Sequence, residues 1–317
     1  MWDRPARILA AIALAVSAAV SPVGAPGALA AAQTAAETQP SSVEGVTVVA
    51  PRAEQRKLPA LVERFVEAHA ATGRIDQLSR WATPVCPVAG GLSPPFNDYV
   101  VRRVRSVAAA AGAPVEKHPN RNFACKTNLL IVFTTKPQAL LDDVRKRHPQ
   151  LLGFHYAAQA GRLAVFDHPI QAWYMTGTKA EGGVIEADDE FTRLPSGAAG
   201  SHFSARLESQ FMGVLVVVDS GKILGHQIGP IADSVAMLSL ARLDRVQGCS
   251  ALPTIVDFLN PDCPPGPDPS GLSQYDAAFL KGLYATDAEQ FGRVQRSAIG
   301  SRMLHDLESA PAPPKDR

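Results

Sequence analysis

Residues 211–218 read FMGVLVVV, a run of strand length bounded by Gln210 and Asp219 and rich in valine. It is the strongest strand candidate in the chain, because β-branched side chains favour the extended backbone and eight residues are too few for a typical helix. Asp219-Ser220-Gly221-Lys222 has the composition of a β-turn, and Gly229-Pro230 opens a helix predicted over 231–243. Outward from there, LLIVF at 129–133 is a second apolar run, continuous enough to imply burial on both faces. PIQAWYM at 169–175 and residues 78–88 are further predicted strands. Helices are predicted over 58–70, 96–111 and 138–147 on one side of the central run. Others are predicted over 252–259, 274–284 and 287–307 on the other. Helices alternating with apolar strands imply a mixed α/β (α+β) fold. The expectation is one domain over 56–309, with a central sheet, helices packed on it and a helical C-terminal part.

The remainder of the chain has a different character. A basic start with Arg4 and Arg7, an apolar run over 8–20, and small residues ending in Ala28-Leu29-Ala30 read as a signal peptide over 1–30, cut after Ala30. The run is shorter than the roughly 20 residues that span a bilayer. No later stretch reads as a span, and no cysteine near the cut suggests a lipid anchor, so the chain is predicted to be exported to the periplasm or beyond. Residues 31–55 read as a flexible spacer holding one short strand, VEGVTVVA at 43–50, and 310–317 as a Pro-rich disordered tail. The strand is an ordinary edge strand on its pattern. It is also similar to segments by which outer-membrane receptors meet an energising partner, which would make an envelope protein its partner.

Charge and composition exclude several functions. The chain has 31 Lys+Arg and 30 Asp+Glu, of which Arg4, Arg7 and Asp3 belong to the leader, leaving 29 of each sign. A neutral chain lacks the basic footprint of nucleic-acid binding. With 46% hydrophobic and 19% charged residues there is apolar material for a core, so wholesale disorder is also excluded. Cys86, Cys125, Cys249 and Cys263 form an even set, and an exported chain favours disulfides. Of three connectivities the pairing of neighbours, Cys86–Cys125 and Cys249–Cys263, is preferred, with Pro253, Asn260 and Pro261 suiting a stapled turn. No C-x-x-C pair supports zinc.

Catalytic motifs are missing from the sequence. There is no G-x-S-x-G elbow, no phosphate-binding G-x-x-x-x-G-K-[ST] loop and no H-E-x-x-H. His226-Gln227 begins like a metal-binding helix, but the fourth residue on is Pro230. No other histidines stand four apart, so no metal and no cofactor are assigned. The acidic run Glu186, Asp188, Asp189 and Glu190 lacks the alternation of a calcium loop and reads as a solvated hairpin tip or inserted loop.

Several segments nevertheless carry a resemblance. Arg80-Trp81, Pro84 and Asn128-Leu129-Leu130-Ile131-Val132-Phe133 are followed by Ile231-Ala232-Asp233-Ser234-Val235-Ala236-Met237-Leu238-Ser239-Leu240. Leu252-Pro253-Thr254-Ile255-Val256 and Leu272-Ser273-Gln274-Tyr275-Asp276 come next, then Phe279-Leu280 and Leu283-Tyr284. In this order they resemble a bacterial secreted family of the zincin-like type, described as predicted zinc-dependent proteases. In such enzymes two histidines one helical turn apart bind zinc and a glutamate activates its water. The resemblance places Ala232 and Ala236 at the histidine positions and Asp233 at the glutamate. It therefore implies a zincin-like scaffold without its metal ligands, in a binding or envelope role. A first-turn helix carboxylate is the alternative account of Asp233. The competing functional expectation is a hydrolase of unrecognised type that uses Asp233 with His226.

Overall fold

A computed structural model describes residues 57–116, 125–153, 159–188, 206–243, 248–264 and 268–309. The predicted leader, spacer, 43–50 strand and C-terminal tail lie outside the described residues. The two apolar runs form the middle of a five-stranded mixed sheet. β1 (Pro87–Gly90), β2 (Leu129–Thr134), β3 (Ile170–Ala180), β4 (Ile185–Ala187) and β5 (Leu207–Asp219) lie in the order β1-β2-β5-β3-β4. β2 runs parallel to β1 and β5, in register from Leu129↔Val214 to Thr134↔Asp219. β3 is antiparallel to β5 and β4, with one irregularity between Met175 and Thr176.

All six residues of β2 are buried, because helices cover both faces of the sheet. Leu129, Ile131 and Phe133 join Val214, Val216 and Val218 in the larger core. Leu130 and Val132 join Leu215, Val217 and Trp173 in the smaller one, closed by Leu141 and Val144 of α3 (Pro137–Arg147). The larger core is roofed by α1 (Leu58–His69), α2 (Pro94–Ala111), α5 (Ile228–Leu240), α6 (Gln274–Ala285) and α7 (Gly292–Ser309). A single turn, α4 (Ala160–Leu163), precedes β3. The fold is thus the expected single mixed α/β unit.

Helix boundaries have local causes. α2 begins after Ser93 with prolines in its first turn and stops at Gly112, whose φ of 86° suits only glycine well. α6 starts in a capping box, in which the Ser273 hydroxyl accepts from the Asp276 N–H and the Asp276 carboxylate accepts from the Ser273 N–H. α5 is buried on nearly every side, as expected for an apolar helix without a polar face.

Three segments depart from expectation. Within 78–88 only isolated bridges form, Arg80↔Gln210 and Val85↔Val115 among them, and the strand begins at Pro87. Pro84 and Pro87 have no N–H to give a ladder. Residues 252–259 hold one 3-10 turn, Ile255–Asp257, since Pro253 disfavours helix at Leu252 and Leu259 takes a φ of 62°. α7 begins at Gly292, not 287, and Gln295 Nε2 donates to the carbonyls of Asp287 and Ala288 instead. The cysteines pair as Cys86–Cys125 and Cys249–Cys263, with Cα separations of 5.9 and 5.3 Å. No helix among the described residues is long and apolar enough to cross a membrane.

Candidate functional site

The helix singled out by the sequence, α5, presents two very different stripes. Ala232 and Ala236 are fully enclosed in the larger core, against the sheet and neighbouring helices. Two positions further along, Ser234 and Leu238 stand one turn apart on a face that lines a groove of about 290 Å³.

Asp233 is buried, and Arg103 of α2 grips it with Nε at 2.5 Å from Oδ1 and Nη2 at 2.9 Å from Oδ2. The Leu272 N–H donates to Oδ2 at 3.2 Å, and a Cβ at Gly271 would lie 2.6 Å from that oxygen. The bidentate bond raises the Arg103 pKa above its ordinary value. The first-turn account of Asp233 does not hold, because α5 starts at Ile228 and Asp233 is its sixth residue. Its carboxylate ties α2, α5 and the approach to α6 together.

His226 stands just before α5. Its Nδ1 lies 2.7 Å from Oδ1 of Asp268, while the Gln227 N–H donates to Oδ2 at 3.2 Å, and Phe258 meets the ring edge-on. The hydrogen bond from His226 holds the Asp268 carboxyl below its ordinary range. Among the described residues, no hydrogen bond joins His226 to Asp233; each has its own partner. The described residues contain no group of three His, Cys, Asp or Glu placed to hold a metal ion. Ser220 occupies the expected β-turn, where Asp219 Oδ1 accepts from the Gly221 N–H. Asp188 departs from the solvated reading of its acidic run: it is buried, accepting from the hydroxyls of Thr176 and Thr178 at 2.7 and 2.8 Å.

Three segments build the groove. β3 supplies Ile170, Ala172 and Tyr174 at alternate positions, α5 supplies Ser234 and Leu238, and the chain between Cys249 and Cys263 supplies Ile255, Val256, Phe258 and Leu259. Arg242 and His168 also line it, and among the described residues no carboxylate does. The Ser234 hydroxyl donates to the Pro230 and Ile255 carbonyls, and Asn260 is satisfied by Gly248 and Asp262. His168 already shares Asp167 at 2.7 Å. Burial pushes the Tyr174 hydroxyl up from its ordinary pKa, against the pull of the Leu243 backbone and the Arg242 charge. Nothing in the sequence marks this groove, since its walls come from segments far apart in the chain. Arg103 and Asp268 were equally out of reach of a motif search.

Fold and groove together define a mixed α/β domain with a small cleft of mixed apolar and polar lining beside its central helix. No family model, curated protein or solved structure matches the chain.

Proposed function

We propose that this is an exported, disulfide-stapled binding domain on a zincin-like scaffold that has no catalytic metal. One observation carries the reading: the stripe of α5 where metal ligands would stand is alanine sealed in the core, while the adjoining Ser234–Leu238 stripe lines an open groove. Small apolar clefts with a few polar groups are the usual form of ligand sites. Two disulfides fit an oxidising compartment. The purified chain lacking residues 1–30 is expected to contain no stoichiometric zinc and to leave peptides intact. Bound zinc together with peptide hydrolysis would refute the reading. Fractionation of cells producing the full chain tests export separately, with a mature N-terminus at Ala31 as the expected result.

Hydrolysis is the second reading, and the orientation of His226 favours it. Asp268 fixes one ring nitrogen, the arrangement that leaves the other able to act as a base. Asp233, engaged by Arg103, has no part in that pair. Ester hydrolysis abolished by His226→Gln would support this reading over the first.

A further inference from the structure

We infer that the groove takes a small amphipathic monoanion, with its apolar body against β3 and Phe258 and its carboxylate on Arg242. The inference rests on the binding reading above and adds the ligand's chemistry. Arg242 is half-buried two residues beyond the end of α5, and among the described residues its guanidinium has no carboxylate partner. A cation drawn partly out of water is costly unless an anion meets it. The backbone holds the residue in place, because the Arg242 carbonyl accepts from the Ala71 N–H at 3.2 Å. The planar guanidinium suits a carboxylate, to which it can present two parallel N–H groups.

The other polar groups do not compete for the charge. Ser234 and Asn260 are satisfied internally, and His168 is engaged by Asp167. With no acidic side chain among the described residues of the wall, an anion meets no repulsion from them. At about 290 Å³ the groove lies at the small end of ligand cavities, which favours a small molecule over a folded partner.

Octanoate and octanol, which share an apolar chain and differ in charge, are the probes. Binding is read by calorimetry. Octanoate is expected to bind the intact mature chain, and Arg242→Gln to weaken it by at least about tenfold while leaving octanol unchanged. Leu238→Trp, which fills the groove, should abolish both, with thermal melting confirming that each variant is folded. Equal binding of octanol and octanoate, or octanoate binding indifferent to Arg242→Gln, overturns the anion assignment but leaves a binding groove. Octanoate that still binds Leu238→Trp places the ligand elsewhere and also overturns it. Failure of both probes to bind the intact chain removes the assignment and the groove reading together.

Discussion

Two buried polar residues set how this chain should respond to change. Asp233 is 2% exposed and bound by Arg103, which is itself 38% exposed. Arg103→Ala would leave the buried Asp233 carboxylate without its counter-ion, costing roughly 3 kcal/mol in a urea denaturation. Asp233→Ala should cost less, about 1–2 kcal/mol, since it strands the Leu272 N–H while the half-exposed guanidinium turns to water. His69 is the second. It is fully buried, stacked on Phe65, edge-on to Phe279, and its Nδ1 lies 2.7 Å from the Phe65 carbonyl. Its Nε2 has no hydrogen-bond partner among the described residues. Desolvation lowers its pKa below the ordinary 6.5, outweighing the pull of the Phe65 carbonyl and of Asp276. Below that value the unfolded chain binds a proton that the fold refuses. Stability therefore holds above pH 6.5 and falls as pH drops below it, by at most about 1.4 kcal/mol per pH unit. Melting curves from pH 7.5 to 5 should show this slope, and His69→Phe should flatten it. The Asp268 carboxyl, held below its ordinary 3.8, loses its contribution only at lower pH. Asp233 was visible in the sequence as a carboxylate on an apolar helix. Its partner, 130 positions away, was not.

At the level of elements, legibility followed the local signal. The runs at 129–133 and 211–218 became β2 and β5, because valine-rich segments without proline admit few other structures. At 78–88 and 252–259 the predicted strand and helix do not form for one reason: Pro84, Pro87 and Pro253 interrupt the apolar runs. α5 was found with a three-residue shift, and Pro230 proved to lie in its first turn and not before it. The surroundings of this helix decide a direct test of the lost-metal idea. Ala232→His with Ala236→His restores the spacing of a zinc helix, yet both positions are 0% exposed. Two imidazoles would enter a core with neither room nor solvent, so the double variant should melt well below the parent, by several kcal/mol, without gaining zinc affinity. A stable double variant that binds zinc would show that the core opens there.

The whole molecule is closed by polar contacts between the two ends of its described chain. Gln77 Nε2 donates to the Glu289 carbonyl, the Leu78 N–H donates to Gln295 Oε1, and the Gly292 N–H donates to the Asp76 carbonyl at 2.6 Å. These ties hold the start of α7 against the segment that follows α1, so truncation before Gly292 should cost folding and not merely a helix, as circular dichroism would show. The disulfides act at the same scale. Cys249–Cys263 closes a 14-residue separation, a loop whose staple contributes about 3 kcal/mol. Mild reduction, or Cys249→Ser with Cys263→Ser, should lower the melting temperature and weaken any groove ligand more than it loosens the sheet. The segment so stapled carries Ile255, Val256, Phe258 and Leu259, one entire wall of the groove. The disulfide adds to the Ser234 hydroxyl and Asp276 carboxylate bonds that already hold Ile255, whereas β3 and α5 need no such staple. A chain with reduced thiols would keep the sheet, the helix and the Ile255 end of this wall, with the residues nearer the cysteines held less firmly. On the binding reading proposed above, affinity in the groove would then rise as the thiols oxidise.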